Sequence, residues 1–198
     1  MTRLAIIDSG GANIASLQYA VERLGIESEL TTDPAKLQAA SHVMLPGVGA
    51  ASDCMARLES AGLVDTIRNL AQPVLGICVG MQLLFESSEE GGVACLGLLP
   101  GRVRHLRVSE DLPVPHMGWN QLELHRDSPL LKDIKSGDYV YFVHSYAAPA
   151  SDFALATTEY GERFAAIVQR GNVFGVQFHP ERSAKVGAQL LKNFLELR

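Results

Sequence analysis

The stretch PVLGICVGMQLLF, residues 73–85, sets one cysteine, Cys78, inside an apolar run with Gly76 and Gly80 two positions away on either side. G-x-C-x-G has the form of a nucleophile elbow, a sharp strand-to-helix turn that strains the nucleophile's backbone and lifts its side chain clear of a sheet. The flanking glycines would let chain segments approach that turn where a Cβ would collide. A helix starting behind the thiol would favour thiolate over thiol, and its free N–H groups, beginning with that of Val79, would face a developing oxyanion. Alone, a cysteine in an apolar run reads as a small buried hydrophobe. Cys54 and Cys95, which lack the glycine frame, keep that reading.

A nucleophilic cysteine needs a base and the base an orienter. VFGVQFHPERS supplies both types: His179 ends an apolar strand pattern, and Pro180 holds it out of the helical region. In an extended segment i and i+2 face the same way, so Glu181 can fix the imidazole tautomer and stabilise its protonated form. MLPGVGA, residues 44–50, follows another apolar run, and a glycine-rich loop there can turn the N–H of Gly49 towards the same reacting carbonyl. By itself H-P-E is a strand end with a helix-capping acid and P-G-x-G is a turn; the combination points to catalysis.

The elements that must position these residues alternate in the first half. RLAIID reads as a strand, followed by helical spacing of Ile14, Leu17, Val21 and Leu24. IESEL is a second strand, then a helix with Asp33 as N-cap and Pro34 at its first position. HVMLPG is a third strand, residues 52–71 hold one or two helices with a break at Gly62, PVLGIC is a fourth strand, and GMQLLFES starts the next helix. Residues 93–180 are strand-rich, with a hairpin turned at Gly171 and Asn172. A last helix has Ser183 as cap and Val186, Leu190, Leu191 and Phe194 as its apolar stripe. The expected fold is α/β: a doubly wound, mostly parallel sheet with added antiparallel strands in the second half. In such a sheet, function collects at the carboxyl ends of strands, where Cys78 lies.

With 198 residues, 47% of them hydrophobic, the chain can bury one large core, and a single domain over residues 1–198 is expected. The net charge of −5 and the lack of a basic block argue against nucleic acid, and Arg102, Arg104 and Arg107 read as one solvated strand face. With no long apolar segment and no cleavage-site signature, no membrane association and a cytoplasmic location are expected. The three cysteines show no C-x-x-C pairing, so free thiols are expected, with no metal site.

Four motifs, PGVG, GICVGMQLL, HSY and QFHPE, in this order across most of the chain, resemble those of the class I, triad-type glutamine amidotransferases. The resemblance implies a flavodoxin-like fold and no cofactor. Cys78 would attack the side-chain amide of glutamine, passing through a cysteinyl thioester to glutamate and ammonia. His179 would be base and acid, Glu181 its orienter, and the N–H groups of Gly49 and Val79 the oxyanion hole. Gln82, Ser145 and Tyr146 match positions around bound glutamine. PHMGWN, residues 115–120, resembles a segment of the glutaminase subunits of imidazole glycerol phosphate synthases, and IIDSGGANIASL and FHPERS are compatible with it. That implies a (β/α)8-barrel cyclase as heterodimer partner, which uses the ammonia to make imidazole glycerol phosphate and an aminoimidazole carboxamide ribotide. Trp119, Asn120 and Arg182 would face it. Three positions depart from the pattern: Ser9 stands for tyrosine, Val79 for leucine and Arg182 for lysine. Two other readings stay open: a glutaminase serving a different synthase (anthranilate, guanylate or pyridoxal phosphate), and a non-catalytic flavodoxin-like binding module. His144 reads as a hydrogen-bonded structural histidine; His42, His105, His116 and His125 receive no catalytic role.

Overall fold

The computed structural model describes residues 2–10, 14–107 and 112–198; Gly11, Ala12 and Asn13 of IIDSGGANIASL lie outside them. In chain order the elements are β1 (Leu4–Ile7), α1 (Ile14–Glu22), β2 (Ser28–Thr31), α2 (Pro34–Ala39), β3 (His42–Gly47), α3 (Ala51–Ser60), α4 (Val64–Arg68), β4 (Val74–Cys78) and α5 (Val79–Gln82). There follow β5 (Ser87–Ser88), β6 (Val93–Ala94), β7 (Arg102–His105), β8 (His116–Gln121), β9 (Glu123–Leu124), β10 (Tyr139–His144), β11 (Tyr146–Ala147), β12 (Ala154–Tyr160), β13 (Glu162–Arg170), β14 (Val173–Val176) and α6 (Ala184–Glu196).

The main sheet has the order β2-β1-β3-β4-β14-β13-β12-β9. Its first five strands run parallel, and β13, β12 and β9 add antiparallel. The inner parallel strands β1, β3, β4 and β14 are buried along their whole length, the pattern of strands covered on both faces, whereas edge strand β2 is largely open. Buried hydrophobes of both halves form one cluster, from Leu4 to Leu195. β14 is the joint: it closes the expected hairpin with β13, turned at Gly171 (φ +57°), and runs parallel beside β4. This connection sets His179, three residues past β14, beside Cys78 at the end of β4. Asp33 caps α2 through a 2.9 Å bond from the Ala35 N–H, and Gly62 (φ +66°) separates α3 from α4.

Three local expectations differ. The helix after Cys78 is one turn, Val79–Gln82, because the carbonyls of Leu83, Leu84, Phe85 and Glu86 accept from Leu96, Leu99, Gly97 and Cys95 instead of continuing the helix. Ser183 stands at the N-cap of α6, but its hydroxyl donates to the His179 carbonyl (2.7 Å) and accepts from the Tyr141 N–H (2.9 Å), leaving the helix uncapped by that side chain. Glu181 lies in a 3₁₀ turn, Pro180–Arg182, and not on an extended segment.

Candidate active site

β3 and β4 run parallel with Gly47 opposite Cys78, so the PGVG loop and the elbow leave the sheet at the same edge. Cys78 has φ +55° and ψ −114°, a conformation that a β-carbon strongly disfavours and that persists only where surrounding packing enforces it. The enforcement is visible at the glycines: a Cβ on Gly80 would lie 1.8 Å from the Leu45 carbonyl oxygen, and one on Gly76 would lie 2.6 Å from the carbonyl oxygen of Gly80. The short helix contributes mainly its first N–H groups, which have no partner within a helix, that of Val79 among them.

His179 keeps an extended backbone (φ −95°, ψ 100°), and its N–H donates to the Tyr141 carbonyl at 2.9 Å. Its Nδ1 lies 2.9 Å from Oε1 of Glu181, whose side chain is 2% exposed, so the ring donates from Nδ1 and presents Nε2 elsewhere. Helix α6 packs so closely on this turn that a Cβ on Gly187 would lie 1.9 Å from the Pro180 carbonyl oxygen. Burial pushes the His179 ring towards neutrality, but the hydrogen bonds and charges of Cys78 and Glu181 outweigh it and raise the pKa to about 10. At neutral pH the ring is therefore imidazolium, facing the cysteine sulfur. The other buried histidines go the opposite way: burial holds His116 at about 4 and His144 at about 3, and it lowers His42 as well. Of these four, only His179 is arranged to hold a proton at neutral pH. Burial raises the Cys54 thiol, and the Cys95 thiol to about 11, which keeps both protonated.

Cys78, Val79, Gly49, Gln82, Ser145, Tyr146, His179 and Arg182 all line one cleft of ≈ 370 Å³. Gln82 is 2% exposed; its Nε2 donates to the Tyr146 carbonyl (2.8 Å) and to Oε1 of Gln177 (3.1 Å), while its own Oε1 has no hydrogen-bond partner. Tyr146 thus contributes a carbonyl, its ring lying edge-on to His105. Two residues at the site, one lining the cleft and one buried near the sulfur, escaped the sequence reading. Glu90 lines the cleft and accepts from the Ala51 N–H at 2.8 Å; no spacing rule ties it to the elbow, since a 3₁₀ turn sets its place. Gln177 is fully buried with Nε2 3.9 Å from the Cys78 sulfur, and its position two before His179 was the available signal.

Trp119 and Asn120 stand outside the cleft. Trp119 is half exposed, edge-on to Tyr141, and the Arg182 guanidinium lies 4.3 Å over the same Tyr141 ring. Asn120 turns inward, its Nδ2 donating to the Glu159 carbonyl at 2.9 Å. Ser9, which replaces the expected tyrosine, is fully buried and donates to the Pro46 carbonyl at 2.6 Å, while Arg57 donates to the Ser9 carbonyl. A larger depression of ≈ 580 Å³ near residues 124–134 holds no cysteine, and its His125 is bonded to Thr157. Among the described residues no group of histidine, cysteine and carboxylate side chains is arranged to hold a metal ion, and no helix is long and apolar enough to cross a membrane.

A strained cysteine at the end of a central parallel strand, with an imidazolium and a buried carboxylate delivered by the next strand, defines a thiol-dependent hydrolase of the acyl-transfer type. The sequence model of the Glutamine amidotransferase class-I family matches residues 5–197, and the chain belongs to that family. Curated relatives lie close to it: the imidazole glycerol phosphate synthase subunits HisH of Xylella fastidiosa (strain Temecula1) and Xanthomonas axonopodis pv. citri are each 55% identical over 197 residues, covering 100% of this chain and 98% of theirs. Among solved structures, a putative GMP synthase subunit from Thermoplasma acidophilum superposes with a TM-score of 0.75 at 18% identity, covering 98% of this chain and 92% of that one. PurLQS from Thermotoga maritima gives 0.73 at 21% identity, covering 98% of each. These two likenesses establish the doubly wound amidotransferase fold.

Proposed function

We propose that the chain is the glutaminase subunit of an imidazole glycerol phosphate synthase of histidine biosynthesis, hydrolysing glutamine and passing the ammonia to a (β/α)8-barrel cyclase in a heterodimer. The observation that carries the chemistry is the Cys78–His179–Glu181 arrangement; full-length identity of 55% to HisH subunits favours this acceptor over other synthases.

Glutamine enters the cleft with its side-chain carbonyl against the N–H groups of Gly49 and Val79. The Cys78 thiolate attacks the amide carbon, and those donors stabilise the oxyanion; losing one such donor typically costs about 10²–10³ in rate. The His179 imidazolium gives its proton to the departing nitrogen, and ammonia leaves a thioester. His179, now neutral, takes a proton from water, the hydroxide attacks the thioester, and glutamate departs as the thiolate is restored. Glu181 keeps Nδ1 protonated throughout, so Nε2 is always the exchanging atom. The carboxylate of Glu90 is an acceptor suited to the α-ammonium group, and Gln82, whose buried Oε1 has no partner, and Ser145 line the same cleft. Met117, Trp119 and Tyr139 are large exposed hydrophobes on the paired antiparallel strands β8 and β10, whose Tyr141 carries Arg182, and this face fits docking of the cyclase.

Glutamate release should be measured for the chain alone, with the cyclase, and with the cyclase plus its nucleotide ligand, with Cys78→Ala as control. Strong, Cys78-dependent release in the last condition supports the reading. Silence in all three, or activation only by another synthase, overturns it.

A further inference from the structure

Strand β8 alternates cleanly: Met117 and Trp119 face out, His116 and Asn120 face in. The inward pair opens a row of hydrogen bonds. Asn120 Nδ2 lies 3.4 Å from His116 Nε2, His116 Nδ1 lies 3.1 Å from His144 Nε2, and His144 Nδ1 lies 2.9 Å from the Tyr146 carbonyl. The donors are fixed from both ends. A carbonyl only accepts, so His144 carries its hydrogen on Nδ1 and accepts at Nε2, which requires His116 to donate from Nδ1. At the other end Asn120 Oδ1 accepts the Gln121 N–H at 2.8 Å, so Asn120 presents its amine to His116. Both rings are neutral by necessity, since a proton on Nε2 of either would set N–H against N–H. Their burial agrees, at 3% and 6% exposure. The row ends on the carbonyl that holds Gln82, whose second amine hydrogen goes to Gln177. With both amine hydrogens placed, Gln82 Oε1 is left buried with no partner, on a residue that lines the cleft.

We infer that His116 and His144 form a neutral, tautomer-locked pair of positioning residues, which sets the Tyr146 carbonyl and through it the Gln82 acceptor that binds substrate glutamine. The inference rests on the glutaminase reading above. His116 does not itself line the cleft; it acts through His144, which does.

Two substitutions separate this role from packing. The His116 ring stacks on Tyr160 and Phe142, with centroids at 4.0 and 4.9 Å. His116→Phe keeps the stacked ring and removes the donor. His116→Asn keeps an N–H near the Nδ1 position and removes the ring. In the assembled complex with the cyclase and its nucleotide, His116→Phe is expected to raise the KM for glutamine about five- to tenfold, the worth of one hydrogen bond, with kcat within about twofold. His116→Asn is expected to stay within about twofold in KM. The reverse order, or an unchanged KM in both, overturns the inference. A measurement on the unsubstituted chain does not depend on variant folding: ¹⁵N spectra of the two rings between pH 5 and 8 should show hydrogen on Nδ1 and none on Nε2, and Nε2–H on either ring refutes the pair. A wild-type complex without glutaminase activity would defeat the functional reading, while the tautomer spectra would still decide the pair.

Discussion

Gly80→Ala is the most direct test of why glycines frame the thiol. The added Cβ would lie 1.8 Å from the Leu45 carbonyl oxygen and 3.2 Å from the Pro46 carbonyl carbon, where real contacts stay above 3.0 Å. The elbow and the end of β3 must then separate by at least 3.0 − 1.8 = 1.2 Å. Both touching groups are backbone, so no side chain can swing away. Overpacking of this kind costs about 1–3 kcal/mol, which for a chain of this size lowers Tm by about 2–12 °C. The displacement falls between Cys78 and the loop bearing Gly49, and a misplacement of about 1 Å in a reacting constellation costs about 10²-fold in rate. Glutamate release by the complex and a thermal melt of the variant measure both effects. Gly171→Ala is the control: it sits at φ +57° in open space at the opposite end of β14. It should lose about 1–2 kcal/mol to backbone strain with kcat unchanged. A Gly80→Ala enzyme within about threefold of wild-type kcat would refute the packing argument.

Other perturbations follow from particular contacts. Glu181→Gln removes a charge-assisted bond worth about 1.5–3 kcal/mol. At about 1.4 kcal/mol per unit the His179 pKa should fall from about 10 by about one to two units, read by NMR of the ring; an unmoved titration would contradict the assigned pairing. Ser9→Ala leaves the buried Pro46 carbonyl without its 2.6 Å donor and should cost about 1–3 kcal/mol in a denaturant melt, whereas a neutral result would show that the hydroxyl does not hold the PGVG loop. Stability should also fall on acidification. His116 and His144 stay neutral in the folded chain down to about 4 and about 3, while the unfolded chain takes up protons below about 6.5. The stability present above pH 6.5 is therefore lost as pH drops towards those values, by up to about 2 × 1.4 kcal/mol per pH unit. Calorimetry showing a flat Tm between pH 6.5 and 5 would rule this out.

Much of the molecule was legible in local chemistry. Apolar runs gave β1 to β4, the cap residue Asp33 and the break at Gly62 gave helix bounds, and the glycine frame marked Cys78 as an elbow, because strands, caps and turns answer to neighbours a few residues away. The meeting of His179 with Glu181 was readable for the same reason, two residues apart across a proline, although the route between them proved to be a 3₁₀ turn. What sequence could not reach depends on contacts between distant segments. The helix after Cys78 stopped after one turn because residues 95–99 took its carbonyls, and Ser183 gave up its capping role to bonds with His179 and Tyr141. Glu90 joined the cleft, and Gln177 came to lie buried near the Cys78 sulfur, through the way chain segments meet. The charges were likewise decided by the fold: six histidines share one intrinsic pKa near 6.5. Burial drives His116 and His144 down, and a carboxylate and a thiolate brought to His179 drive it up. The sequence alone determined which side chains were available for the chemistry; only the tertiary structure decided which of them carries the proton, because desolvation and partner charges exist only once the chain is packed.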